Sequence, residues 1–411
     1  MNASRRDVLT LGAATALAGF APGRLFAADA VARLESMTAD VVPIGGAEIL
    51  ARIGKARALM GKLGIGALLV EPGASLVYFT GVQWWRSERL TAAVIPREGD
   101  IAIVTPHFEE PSVRESLRVP AEVRVWNEDE DPLVTVAGIL RDRKVTAPVA
   151  VEETVRFFAV DALRRAMPSV DVVNGASVVR ACRMVKSPAE LALMQKAADI
   201  TIAAYRHTAP RIKAGMTPAD IGAMMDAAHT ALGASPEFAL ILLGEAAAYP
   251  HGSGQPQKVR PGEVVLMDCG CAVEGYQSDI SRTFVFGEAT AEQRKVWQQV
   301  RDGQQIAIET ARVGVPAGSV DDAVRAQYVK WGYGPGYKLP GLPHRTGHGI
   351  GLDGHEPVNL VHGEQTALAP NMCFSNEPGI YLPGKFGIRL EDCFHMGAEK
   401  PIWFSTPPPS L

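Results

Sequence analysis

Five cysteines in 411 residues, Cys182, Cys269, Cys271, Cys373 and Cys393, are too few and too irregularly spaced for a disulfide framework, and no C-x-x-C pair occurs. That excludes a small cystine-stapled scaffold and a thiolate zinc site, and leaves the cysteines as small apolar residues of a core. An excess of one charge is also missing. Against 45 Asp and Glu stand 41 Lys and Arg, a formal net charge of −4 with no basic stripe to neutralise phosphates, so nucleic acid is not expected as a partner. No apolar run is long enough to span a bilayer as a permanent helix.

What is present is an ordinary globular composition, 47% hydrophobic and 21% charged, in a chain long enough to bury a large core divided between two domains. The first thirty residues stand apart. Arg5 and Arg6 precede a short Ala, Gly and Leu stretch that runs to about Phe20, and small residues at Ala27, Ala28 and Ala30 offer cleavage sites. This resembles a twin-arginine signal, which predicts that residues 1–30 are removed and that the protein is exported already folded, to the periplasm or another extracytoplasmic space. Unpaired cysteines agree with that route.

From 44 to 179, helical stretches such as 48–63 alternate with short apolar runs at 67–70, 92–95, 101–104 and 149–151, the pattern of an α/β domain with a central sheet. A boundary follows at Ser187-Pro188-Ala189-Glu190, which has a capping serine, a proline at the first helical position and a glutamate to complete the box. Thr217-Pro218 and the segment from Ser319 to Asp322 read as similar helix starts. Two hairpins are interleaved with these helices. One turns at Glu274-Gly275 and the other at Pro383-Gly384, so that helices plus a hairpin occur twice, a weak internal duplication. The second half is thus α+β.

The hairpins carry acidic residues in otherwise apolar strands. Asp268 and Asp279 flank the first turn almost symmetrically, and Glu377 and Glu391 flank Gly384, which predicts that each hairpin brings two carboxylates face to face. Cys269 and Cys271 alternate with Asp268 and point the other way. Like charges opposite one another repel, so either one carboxyl of each pair holds a proton or a cation lies between them. Two matched pairs, together with the glycine-rich segment containing His344, His348 and His355, favour the cation. One imidazole and four carboxylates form a hard, oxygen-rich donor set suited to two divalent ions about 3.5–4 Å apart. Mn²⁺ suits it first, and Zn²⁺, Co²⁺ and Fe²⁺ also satisfy it.

These residues lie in D-C-G-C-A-V-E-G-Y-Q-S-D-I-S-R-T-F, T-G-H-G-I-G-L, N-E-P-G-I-Y and I-R-L-E-D. In that order and spacing the chain resembles the pita-bread metallopeptidases, the family of aminopeptidase P and prolidase. The match is specific over about 186–396 and weaker before it, where Tyr78-Phe79-Thr80-Gly81 and Glu88-Arg89-Leu90 are similar to the creatinase-like domain of longer members. The resemblance implies an α/β creatinase-like domain over residues 44–180, followed by an α+β pita-bread catalytic domain over 186–411. It implies that Asp268 chelates one metal, that Asp279 and Glu391 bridge, and that His348 and Glu377 bind the other. A homodimer is implied as well.

The same resemblance implies that His251 contacts substrate, that His355 acts at the scissile bond and that His344 helps to form a proline pocket, with Tyr381 beside it. Arg389, near Glu391, is expected to brace the carboxylates by charge-assisted hydrogen bonds rather than to form a surface ion pair. Glu377 is expected to act as general base in hydrolysis of the peptide bond before proline. Many dipeptidases of this kind carry an arginine four residues after the second histidine, where this chain has Asn359. That leans the expectation toward an Xaa-Pro aminopeptidase acting on longer peptides, with an Xaa-Pro dipeptidase as the alternative. Hydrolysis of a non-peptide amide or metal-dependent lyase chemistry would use the same fold, and a binding-only protein would have no use for Glu377.

Overall fold

A computed structural model describes residues 34–411, so the Arg5-Arg6 segment and its cleavage sites lie outside the described residues. The amino-terminal domain is built on a six-stranded mixed sheet. Its strands run in the order Glu122–Trp126, Ala102–Pro106, Ala92–Pro96, Ala67–Val70, Val149–Val151, Val172–Asn174. The central strand Ala67–Val70 is buried along its whole length because helices cover both faces. Alternation divides its side chains. Leu68 and Val70 pack with Ile49, Ile53 and Met60 of the helix Gly46–Leu63, while Ala67 and Leu69 pack with Leu133, Val136 and Leu163 from helices on the opposite face.

The first of these cores does not stop at the domain boundary. It continues through Leu193, Met194 and Tyr205 of the long helix Pro188–Thr208 into Val265, Cys269 and Cys271 of a sheet in the carboxy-terminal domain. All five cysteines are free and buried. The long helix starts where its sequence dictates. The Ser187 hydroxyl accepts the Glu190 N–H at 3.2 Å, and the Glu190 carboxylate accepts the Ser187 N–H at 2.8 Å. Thr217 and Asp220 repeat the arrangement, as do Thr290 and Gln293 ahead of the helix Ala291–Thr310.

Ser319 departs from expectation. The helix Gly318–Lys330 begins two residues earlier, with Ala317 at its cap and no side-chain acceptor, and the Ser319 hydroxyl donates instead to the Pro316 carbonyl. The reason is a neighbouring segment. The Ala317 and Gly318 N–H groups donate to the carbonyls of Thr366 and Glu364, which does the work of a cap.

The carboxy-terminal domain holds two antiparallel sheets. In one, Val264–Val273 lies between Ile280–Val285 and Ser235–Leu243, with Tyr276–Gln277 closing the hairpin. In the other the order is Glu356–Leu360, Gly347–Gly349, Cys373–Asn376, Asp392–Met396, Pro401–Trp403. A separate ribbon pairs Gly379–Leu382 with Phe386–Arg389. Among the described residues, no helix is long and apolar enough to cross a membrane.

Hairpin registers correct one expectation. Glu274 and Gly275 both take positive φ, 50° and 83°, forming a two-residue turn that pairs Val273 with Tyr276 and therefore Asp268 with Ser281. Asp268 and Asp279 are thus diagonal neighbours on one face and not directly opposite. Gly270 lies between them, and a Cβ there would meet the Ser278 carbonyl oxygen at 2.2 Å. In the second hairpin, the ladders on either side pair Asn376 with Asp392 and Gly379 with Arg389, a common register that sets Glu377 against Glu391.

Candidate active site

Backbone bonds bring the two hairpins together. The Glu391 N–H donates to the Ser281 carbonyl at 3.1 Å, and Thr283 both donates to the Arg389 carbonyl and accepts from its N–H. The Glu377 N–H donates to the Thr346 carbonyl at 2.9 Å, tying the second hairpin to the histidine segment. That segment can lie flat because Gly347 has no side chain, since a Cβ there would meet the Ser375 carbonyl oxygen at 2.1 Å. Asp268, Asp279 and Glu391 consequently offer oxygens within 4.8 Å of one another, and an imidazole nitrogen of His348 lies equally close to oxygens of Glu377 and Glu391. Glu391 belongs to both groups, and Asp279 and His348 recur with His355 in a third.

The details of this cluster fit divalent cations. One oxygen of Asp268 accepts from Arg389 at 2.6 Å and one oxygen of Glu391 accepts from Ser281 at 2.7 Å, while Asp268 Oδ1 and Glu391 Oε1 are buried with no donor among the described residues. His348 Nδ1 bonds the Gly349 carbonyl at 3.0 Å, which puts the ring proton there and leaves the Nε2 lone pair facing Glu377 Oε1 at 3.3 Å and Asp279 Oδ2 at 3.6 Å. Burial, with His355 nearby, holds His348 down to about 3, so it stays neutral and repels those oxygens unless a cation lies between.

The carboxylates make the same demand. Burial, with Asp268 and Glu377 adding to it, pushes Asp279 well above the ordinary carboxylate range, and burial with Asp279 and Glu377 does the same to Glu391. Burial also raises Glu377 to about 7, against the pull of Arg389. Arg389 supplies one positive charge to four acids. Two dications would offset the remainder and draw the carboxyls back to their ionised forms.

Arg389 is 3% exposed, which rules out a surface ion pair. Besides Asp268 it reaches Ser281, the Pro250 carbonyl and the Tyr381 hydroxyl, and Tyr381 in turn donates to His344 Nε2 at 2.9 Å. A relay from Asp268 through Arg389 and Tyr381 therefore ends on His344, whose Nδ1 donates to the Arg345 carbonyl and whose neutrality follows from burial and from Arg389. His355 is exposed, and its ring lies 4.0 Å from that of His348. His251 is exposed at the rim of a cleft of about 760 Å³ that runs along the edge strand Ser235–Leu243 past Leu240, the cross-strand neighbour of Asp268.

Sequence reasoning missed several members. Ser281 and Thr283 brace Glu391 and Arg389, and strand alternation from Asp279 could have found both. Glu356 is fully buried between Lys186 at 2.8 Å and Arg183 at 2.5 Å, so the interdomain connector anchors the residue next to His355. Arg345 reaches across the hairpin to His355 Nδ1 at 3.2 Å and Asn359 Oδ1 at 2.9 Å. Nothing in the spacing of Arg345 signalled that reach.

An α/β domain followed by a two-sheet domain that gathers four carboxylates and a neutral histidine defines a metal-dependent hydrolase. Residues 192–398 match metallopeptidase family M24, and residues 52–185 match the creatinase/prolidase N-terminal domain. The chain belongs to this pita-bread metallopeptidase family. It is 34% identical over 353 residues to the probable dipeptidase PepE of Mycobacterium tuberculosis, covering 84% of this chain and 92% of that protein. It is 33% identical over 325 residues to an Xaa-Pro dipeptidase of Lactobacillus helveticus, covering 78% and 87%. The crystal structure of dipeptidase PepE from Mycobacterium ulcerans superposes with a TM-score of 0.82 at 31% identity, covering 90% of this chain and 99% of that one.

Proposed function

We propose that the protein is an exopeptidase that hydrolyses the bond preceding proline, with Xaa-Pro dipeptides as its substrates. The observation that carries the chemistry is the neutral His348 lone pair facing Asp279 and Glu377, beside unpartnered oxygens of Asp268 and Glu391. In this reading Asp268, Asp279, His348, Glu377 and Glu391 hold two divalent ions, with Mn²⁺ favoured by the oxygen-rich donors. The ions, when bound, supply Lewis acidity and lower the proton affinity of water.

The remaining work falls to side chains. The Glu377 carboxylate takes a proton from the attacking water and passes it to the prolyl nitrogen as the C–N bond breaks. Arg345 donates to His355 Nδ1, which fixes the ring proton on Nε2, the edge free to donate to the carbonyl oxygen as negative charge develops there. His344, held neutral and rigid through Tyr381 and Arg389, suits the apolar proline ring, while Tyr381 is itself fully buried and acts from behind it. The names of the relatives support a dipeptide substrate. Asn359 supports a second reading, an aminopeptidase acting on longer Xaa-Pro peptides. Export by the Arg5-Arg6 segment, which would put this activity outside the cytoplasm, belongs to the same proposal.

Steady-state hydrolysis of Ala-Pro and of longer Ala-Pro peptides by the Mn²⁺-reconstituted protein tests the assignment. Ala-Pro should be the better substrate, and Glu377→Ala should lower kcat by about 10²–10⁴-fold. Cleavage restricted to the longer peptides would select the aminopeptidase, and cleavage of neither would remove the Xaa-Pro reading.

A further inference from the structure

The arginine that Asn359 does not provide comes from the opposite side of the hairpin. Arg345 follows His344 in a segment whose backbone is clamped on both sides. The Arg325 guanidinium donates to the His344 carbonyl, and buried Asp321 accepts from the N–H and hydroxyl of Thr346 at 3.1 and 2.7 Å. Held there, the half-buried Arg345 side chain extends to Asn359 Oδ1 and His355 Nδ1. Both partners are neutral. Among the described residues, Arg345 makes no ion pair, and these two bonds engage two of the five N–H donors of a guanidinium.

A cationic fork with spare donors and no ion-pair partner among the described residues, next to a catalytic histidine, is a site for an anion. Its distance from the chemistry limits which anion. His355 faces the scissile carbonyl through Nε2 in the reading above, and Arg345 donates to its Nδ1 at 3.2 Å, one ring width away, which keeps the guanidinium within reach of the residue that follows the broken bond. In an Xaa-Pro dipeptide that place is taken by the proline carboxylate. In a longer peptide it is taken by a neutral amide.

We infer that Arg345, steadied by Asn359, binds the free carboxylate of the substrate and is the residue that selects dipeptides. The inference rests on the Xaa-Pro reading and adds to it the determinant of substrate length. Arg345 also steers His355, which makes it a positioning residue as well, and the two roles separate by substrate. A positioning role alone affects every substrate equally. A carboxylate contact affects only those that have a carboxylate.

The experiment compares kcat/KM for Ala-Pro and for its carboxamide, Ala-Pro-NH2, in the metal-loaded wild type, Arg345→Gln and Arg345→Lys. The wild type should prefer the free acid by about 10–100-fold, the range of a charge-assisted bidentate contact. Arg345→Gln should erase that ratio, chiefly through KM for Ala-Pro, and Arg345→Lys, which keeps the charge but not the fork, should retain part of it. A wild-type ratio near one, or a glutamine variant that loses both substrates in parallel, overturns the assignment while leaving Xaa-Pro hydrolysis intact. Failure to cleave the acid, the amide or a longer Ala-Pro peptide removes the Xaa-Pro reading itself, and the inference with it.

Discussion

Glu356 and the pair Asp279 and Glu391 are equally hidden from water, yet their surroundings treat the charge in opposite ways. Burial would raise Glu356, but Lys186 and Arg183 outweigh it and hold the carboxyl down to about 2. At Asp279 and Glu391 burial and neighbouring acids act together, and the pKa of each goes up. The junction between the domains carries its own counter-ions and is complete as a polypeptide. The catalytic cluster is charge-deficient by design of its sequence, and that deficit is what a metal pair offsets. Buried acid alone is therefore no sign of a metal site. Buried acid without enough basic partners is one.

The largest expected effect breaks this contrast at the cluster. Stripping the protein with a chelator should lower peptide hydrolysis by roughly a thousandfold or more, reversed by added divalent ion, because several kcal/mol of charge stabilisation leave with the ions. Stability separates the two regions next. Glu356→Gln strands Lys186 and Arg183 and should cost about 3–5 kcal/mol, read from denaturant unfolding. Asp279→Asn should instead leave the metal-free protein at least as stable as the wild type, since it removes a repelled charge. A destabilisation of both variants by the same amount would abolish the distinction.

The smallest effect is one of pH. Glu356 titrates below its ordinary value of 4.5, so its contribution, about 3 kcal/mol, is fully present above pH 4.5 and drains away as pH falls toward 2. The difference in unfolding free energy between wild type and Glu356→Gln should therefore be flat from neutrality to about pH 5 and shrink below it. A difference that is already shrinking between pH 8 and 6 would contradict the assignment to the Lys186–Glu356–Arg183 cluster.

Much of the site was legible because hairpins obey simple arithmetic. The acids lie close to symmetric about glycine turns, and a symmetric pair in apolar strands has few explanations. The arithmetic slipped by two residues at Asp268 and Asp279, where the true centre lies between Glu274 and Gly275. Capping boxes at Ser187 and Thr217 were equally readable, being local. Ser319 was not, because the chain at 364–366 replaces its cap and no local signal encodes a neighbour. Long side chains were the least readable. Arg345, Arg183 and Lys186 matter through where their tips end, and a sequence records only where they are attached.

The apolar core that passes from Leu68 and Val70 through Tyr205 to Cys269 has one more consequence. Both domains lean on the same buried surface, so neither has a face it can show to water when the other is gone. Heating should then melt the molecule in one calorimetric step, and truncation at the Ser187 boundary should yield an insoluble fragment rather than a smaller enzyme. The recognisable seam in the sequence is not a line of weakness in the solid.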